Sequence, residues 1–156
     1  MASKGQMTGM LGVYLVAAEL SRLGFIVSPT SRSAAGADLL VTDQKCQNAW
    51  SVQVKTNRKP ANFWLVGAHA AKLKSDSHAY VFVNIRNEGH PEYVVAPSAH
   101  VAAKVVEETS KKGSVFHSFS RKDRWSNGEG WELFGDPHVG SESDADQATA
   151  ADEVSN

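Results

Sequence analysis

Gly36-Ala37-Asp38-Leu39-Leu40-Val41 and Trp50-Ser51-Val52-Gln53-Val54-Lys55-Thr56 are the two stretches whose reading decides the fold. Both are apolar runs with β-branched residues, separated by a connection rich in Asp, Gln, Lys and Asn, which is the pattern of two paired strands. Strand side chains alternate between faces, so Gln53 and Lys55 point one way while Val52 and Val54 point into a core. In an antiparallel pair, Asp38 near the start of the first strand comes close to Gln53 and Lys55 near the end of the second. An acid, an amide and a lysine then converge on one sheet edge. Such a set can hold a divalent cation together with a phosphate.

Upstream, Thr8 to Leu23 reads as a helix, with Thr8 as N-cap and Gly24 following as the C′ residue. Val13, Val16, Leu20 and Leu23 form its apolar stripe. Met10, Tyr14, Ala17 and Ala18 widen it, so the helix is expected to be buried around most of its circumference. Gly9 and Gly12 weaken a helix and point to close backbone approach. Phe25-Ile26-Val27 reads as a strand ended by Pro29, and Thr30 to Ala37 as a loop carrying Arg32.

Downstream, Asn57 to Asn62 is a basic loop with Arg58 and Lys59, Phe63 to Val66 a strand, and Ala68 to Lys74 at most a short helix bearing Lys72 and Lys74. Ala79 to Ile85 is the clearest single strand, and Tyr93-Val94-Val95 pairs with it as a hairpin around the Asn87–Pro91 turn. A second helix is expected from Ser98, as N-cap, to Lys111 or Lys112, stopped by Gly113. Ser114 to Phe134 reads as irregular chain laid over the sheet. Alternating helices and strands in this order define an α/β fold with a central mixed β-sheet flanked by helices.

The 156 residues suffice for one domain with a real core, and 42% apolar residues fit a globular chain. Six of the 17 acids lie from Asp136 onward, with no Lys or Arg among them. Residues 1–135 therefore hold 11 acids against all 16 bases. The expected organisation is one domain over 1–135 and an acidic, disordered tail over 136–156. A mildly basic body suits a polyanionic partner such as DNA, though many other proteins share this balance. The single cysteine, Cys46, forms no internal disulfide, and no signal-peptide pattern opens the chain. Both favour a reducing cytoplasm. The longest apolar run, near Leu11 to Ala18, is too short to cross a bilayer.

Gly36-Ala37-Asp38 followed by Gln53-Val54-Lys55, behind an N-terminal helix, resembles the PD-(D/E)XK nuclease superfamily. The nearer likeness is to small bacterial members with a Gln-x-Lys variant, of the Mrr type and the Holliday-junction-resolvase type. The resemblance covers roughly Thr8 to Val95 and implies a restriction-endonuclease-like sheet. It implies a metal-dependent DNA endonuclease in restriction, repair or junction processing, using Mg²⁺ or Mn²⁺. Asp38 matches the metal-binding acid, Gln53 the second strand position, and Lys55 the lysine beside the attacking water. The Val54 carbonyl matches a further metal ligand. Arg32, Arg58, Lys59 and Lys72 are the candidate DNA contacts, with a solvated basic face as the plainer reading, and cutting both strands suggests a homodimer.

The sequence departs from that pattern on the first helix. Relatives place a Glu after Gly-x-x-Gly, whereas here Gly9-Met10-Leu11-Gly12 leads to Val13. Glu19, the helix's one acid, lies about 120° around from position 13. Two other readings therefore stand beside the endonuclease: a catalytically inactive nucleic-acid-binding module of the same fold, and a protein-interaction domain whose partner reads the acidic tail. Trp125, among Arg121, Lys122 and Arg124, could stack a base but is expected to close a core. His69, His78, His90, His100, His117 and His138 show no zinc spacing and read as structural or exposed. No phosphate-binding glycine loop is present, which argues against an NTPase or a dinucleotide enzyme.

Overall fold

The computed structural model describes residues 1–31 and 36–138. Helix α1 spans Lys4–Arg22, followed by strands β1 (Ile26–Pro29), β2 (Leu39–Thr42), β3 (Ala49–Asn57) and β4 (Phe63–Val66). After a 3-10 turn at Ala68–Ala71 come β5 (His78–Asn84), β6 (Glu92–Pro97) and helix α2 (Ser98–Lys104). Strands β7 (Val106–Thr109) and β8 (Val115–Ser120) and 3-10 turns at Arg121–Asp123 and Trp131–Phe134 complete the order. The main sheet runs β1-β2-β3-β5-β6, with β3 and β5 parallel and the other pairs antiparallel. This is the mixed α/β architecture expected. A second sheet, β4-β8-β7, is antiparallel and lies on one side of the first.

Strand alternation divides the core in two. Val52, Val54, Val81, Val83 and Val95 face α1, where Val16 and Leu20 cover them, with Phe134 closing the end. Tyr80, Phe82, Val94 and Ala96 face the other way, under Trp64, Ala70, Val101 and Phe119. All seven residues of β5 are buried, as a strand covered on both faces requires. Phe82 stacks on Phe119 with ring centroids 4.6 Å apart, and Trp64 Nε1 donates to the Val83 carbonyl at 3.0 Å.

Helix α1 begins earlier than Thr8. Ser3 caps it in a reciprocal box: Ser3 Oγ accepts from Gln6 N, and Gln6 Oε1 accepts from Ser3 N at 2.8 Å. Its burial is also narrower than the stripe suggested, since Met7, Leu11 and Tyr14 are exposed, Tyr14 at 59%. Close approach occurs at Gly12, where an added Cβ would lie 1.8 Å from Thr56 Oγ1. At Gly9 it would meet nothing within 4 Å.

The second helix is shorter than expected. It ends at Lys104, and Val106–Thr109 pairs with Val115–Ser118 instead, the chain reversing at Gly113 with φ of 83°. Val105, Val106 and Thr109 are β-branched, and cross-strand pairing outweighs the helical spacing of Val101 and Val105. Ser98 is not the N-cap. Its buried Oγ accepts from Ser75 N and donates to the Ser75 carbonyl, each at 2.8 Å. Part of the stretch expected to be irregular is strand β8. Of the tail, Pro137 docks on the body through its carbonyl, which accepts from Gln44 N at 3.1 Å; residues 139–156 lie outside the described residues. Among the described residues no helix is long and apolar enough to cross a membrane.

Two stability predictions follow from this packing. Gly12→Ala drives a methyl into Thr56 and is expected to cost about 1–3 kcal/mol. Gly9→Ala, in open space on the same helix, is expected to gain about 0.5–1 kcal/mol. Thermal unfolding of the two variants should shift in opposite directions. His78 is buried and holds Ser51 Oγ at 2.7 Å through Nδ1. Burial, with the charge of His69, pushes its pKa below the ordinary 6.5. The folded state thus binds fewer protons than the unfolded one, and stability falls as pH drops from the ordinary histidine value through the depressed one. Urea midpoints at about pH 7.5 and about pH 5 should show this fall, and it should shrink in His78→Gln.

Candidate active site

Strand β3 has nine residues and β2 has four, and the pairing of Leu39 with Val52 is the last between them. Beyond Val52, the edge of β3 turned toward β2 would run out of partners. Asp38 supplies them. Its N–H donates to the Val52 carbonyl at 2.8 Å, and its Oδ2 accepts from the Val54 N–H at 2.8 Å. Its own carbonyl accepts from Thr30 N at 3.0 Å, tying the position to the end of β1. Among the described residues the carboxylate has no other hydrogen-bond donor, so Oδ1 keeps its lone pairs.

Val54 lies between Gln53 and Lys55, so the Asp38 carboxylate is brought onto the peptide unit that separates them. In a strand a residue's N–H and C=O point to the same edge, which puts the Val54 carbonyl on the Asp38 side. Gln53 and Lys55 project from the face opposite Val52 and Val54, both half-buried. Their cross-strand neighbours on β5 are Tyr80 and Phe82. Arg58 and Lys59 are exposed just past the end of β3, and Lys72 is exposed after the Ala68–Ala71 turn. Arg32 lies outside the described residues.

On the α1 side of Asp38 there is a cavity of about 440 Å³, bounded by the N-terminal half of α1, the end of β1, Asp38 and Val54. Val13 is one of its walls. Glu19 does not stand in for the missing helix acid. Arg22 grips its carboxylate, with Nη2 donating at 2.6 Å and Nε at 3.1 Å, and holds it below the usual carboxylate range. Among the described residues, no group of three or more His, Cys, Asp or Glu side chains could hold a metal ion. Of the oxygens expected to hold a cation, Asp38 Oδ1 and the Val54 carbonyl lie on one strand edge, whereas the Gln53 amide oxygen lies 3.3 Å from His69 Nε2. All are hard oxygens, and that chemistry fits Mg²⁺ or Mn²⁺ better than a soft metal.

His69 is a residue that the sequence did not single out. Its Nε2 lies 3.3 Å from Gln53 Oε1, and its ring occupies the space where a side chain on Gly67 would begin, with Nδ1 2.6 Å from that point. For Gln53 Oε1 to accept, the proton must sit on Nε2. The contact spans 16 positions and arises from the β3–β4–turn path, so no local spacing signals it; the small Gly67 two residues earlier is the one trace. Trp125, expected in the core, is 40% exposed. Trp131 and Phe134 pack there instead, against Tyr93 and Phe25. Nearby, Arg121 is taken by an ion pair with Glu92.

No protein-family model and no curated protein matches the chain. Among solved structures it is similar to Hjc, a Holliday junction resolvase from the archaeal hyperthermophile Archaeoglobus fulgidus. Identity there is 10% and the TM-score 0.47, over 74% of this chain and 86% of that one. It is also similar to the bacterial homing endonuclease I-Ssp6803I, with 15% identity and a TM-score of 0.47, over 97% of this chain and 100% of the other.

Because Asp38 completes the edge of β3, its truncation is a structural lesion as well as a chemical one. Asp38→Ala leaves the Val54 N–H without a partner and is expected to cost about 1–3 kcal/mol. Asp38→Asn keeps an oxygen acceptor but loses the charge assistance, and is expected to cost less than Asp38→Ala, about 0.5–1.5 kcal/mol. Urea denaturation of both variants tests this.

Proposed function

We propose that the chain is a metal-dependent DNA endonuclease of the restriction-endonuclease-like fold, hydrolysing phosphodiester bonds at Asp38, Gln53 and Lys55. The observation that carries the reading is the docking of Asp38 on Val54 at 2.8 Å, in the middle of Gln53-Val54-Lys55, with one carboxylate oxygen left over. Asp38, Gln53 and the Val54 carbonyl would hold the cation. When bound, it supplies Lewis-acid polarisation of the phosphate and a more acidic water. Among the described residues Asp38 sets the only negative side chain at that point, and its backbone bonds at N and O keep it from swinging away. Lys55 places an ammonium group beside the phosphate, where it offsets charge that builds on the non-bridging oxygens and orients the attacking water. Arg58, Lys59 and Lys72 extend positive charge beyond the strand end for the flanking backbone phosphates.

A second reading has a specific observation behind it. With Val13 on the helix and a neutral Gln53, one carboxylate among the described residues would face a cation, as in a binding module that has lost catalysis. The two are separated by plasmid nicking with Mg²⁺ or Mn²⁺, with salt-dependent DNA binding measured in parallel. The endonuclease predicts nicking that stops on chelation and falls by roughly 10²–10³ in Lys55→Ala, with binding little changed. Asp38→Asn should lose nicking while keeping its fold. DNA binding with no cleavage by wild type in either metal would favour the binding module.

A further inference from the structure

The cavity beside Asp38 has walls of two kinds. Met10, Val13, Tyr14 and Pro29 give it a thioether, an aliphatic, an aromatic and a ring wall, and Gln6, Thr30, Ser31 and Asp38 add polar groups. Gln6 Oε1 is used in the helix cap, which leaves its amide NH₂ to donate outward. Tyr14 is 59% exposed although it is the largest apolar surface there, and Gly9 leaves the adjoining turn open. At about 440 Å³ the space falls within the range of small-ligand pockets. A sugar-phosphate backbone gains nothing from the apolar walls, whatever the polar ones offer it. A planar base gains stacking on Tyr14 and Met10 and hydrogen bonding at its edge.

We propose that this cavity is a nucleobase pocket, which takes an unstacked base next to the phosphate that Asp38 addresses. The inference rests on the nuclease reading above and deepens it by naming a substrate class. In an intact duplex every base is stacked inside the helix, so only sugar and phosphate reach Asp38. A base enters the cavity when it is unpaired or extruded, and extrusion costs least where the base lacks a partner. The preferred DNA therefore carries an unpaired nucleotide at the site of contact. Val13, which removes a second acid from the metal, is on this account a wall of the pocket.

The test uses the full chain in EDTA at low salt, so that binding is read without cleavage. Three duplexes of one sequence are compared: fully paired, with a single unpaired 2-aminopurine, and with an abasic residue at that same unpaired position. The unpaired 2-aminopurine should bind about tenfold tighter than either of the others and change its fluorescence on stacking. Tyr14→Ala, which removes the stacking face, and Gly9→Leu, which plugs the open turn, should each abolish that preference. Both lie on exposed helix surface, so both proteins are expected to fold. Equal binding of all three duplexes, or a preference that survives both substitutions, overturns the pocket and leaves the nuclease reading intact. Equal gains for the abasic and 2-aminopurine duplexes mean that flexible DNA is bound without base capture, and also overturn it. A concentration-dependent dimer lost in Tyr14→Ala, with duplex discrimination unchanged, would assign this wall to a second copy of the chain. If wild type binds none of the duplexes, the pocket is overturned, while plasmid nicking in Mg²⁺ or Mn²⁺ decides the nuclease reading separately.

Discussion

The Val54 N–H and the Asp38 carboxylate together decide how this sheet ends. β3 outgrows β2, and an extended strand edge with unpaired N–H and C=O groups is costly to bury and prone to unwanted pairing. Asp38 closes the gap with its own N–H on the Val52 carbonyl and Oδ2 on the Val54 N–H, each at 2.8 Å. The Asp38 carbonyl accepts from Thr30 N, which ties this end of the sheet to the end of β1. One residue thus finishes the sheet and leaves a carboxylate oxygen at its tip. The precision of the proposed site comes from this economy, because Asp38 is fixed by the sheet before any cation or substrate arrives.

The strand that receives Asp38 is divided by its alternation. Val52 and Val54 belong to the core under α1, and the helix comes so close that Gly12 has no room for a side chain beside Thr56. Gln53 and Lys55 are left on the other face, where the 3-10 turn brings His69 to the Gln53 amide. A one-residue slip of β3 would exchange these sets, burying a lysine and exposing two valines. The parallel pairing of β3 with the fully buried β5 opposes such a slip. Core packing therefore holds the polar face in register as firmly as it holds the apolar one.

The parts legible in the sequence were those written in short-range pattern. Val52 and Val54 stand where alternation puts them, and β5 is legible as the run Ala79 to Ile85, observed at His78–Asn84, because both of its faces are largely apolar. Ser3-x-x-Gln6 is a capping box written in the sequence itself, five residues before Thr8. Other features were hidden for physical reasons. Val101 and Val105 have helical spacing, and only the pairing of Val106–Thr109 with β8, a tertiary event, ends the helix at Lys104. Tyr14 falls in the apolar sector by angle but is exposed because α1 packs against a sheet on one side only. His69 meets Gln53 through a path of 16 residues, which no window of local pattern contains.

The same locality bears on the missing helix acid. A carboxylate at position 13 would project into the cavity walled by Met10, Tyr14 and Pro29. Ionised and without a cation there, it would lose hydration and share the cavity with the Asp38 carboxylate, both of which disfavour the charged form. Such an acid is stable only when metal or positive charge compensates it. With Val13 the cavity needs no compensation, and the apolar walls persist in the metal-free protein. Fewer charges weaken the hold on a cation, and the space that a second ligand sphere would have filled remains open to an apolar group. If Asp38 holds a cation as proposed, weak metal binding and an apolar wall beside it would both follow from Val13.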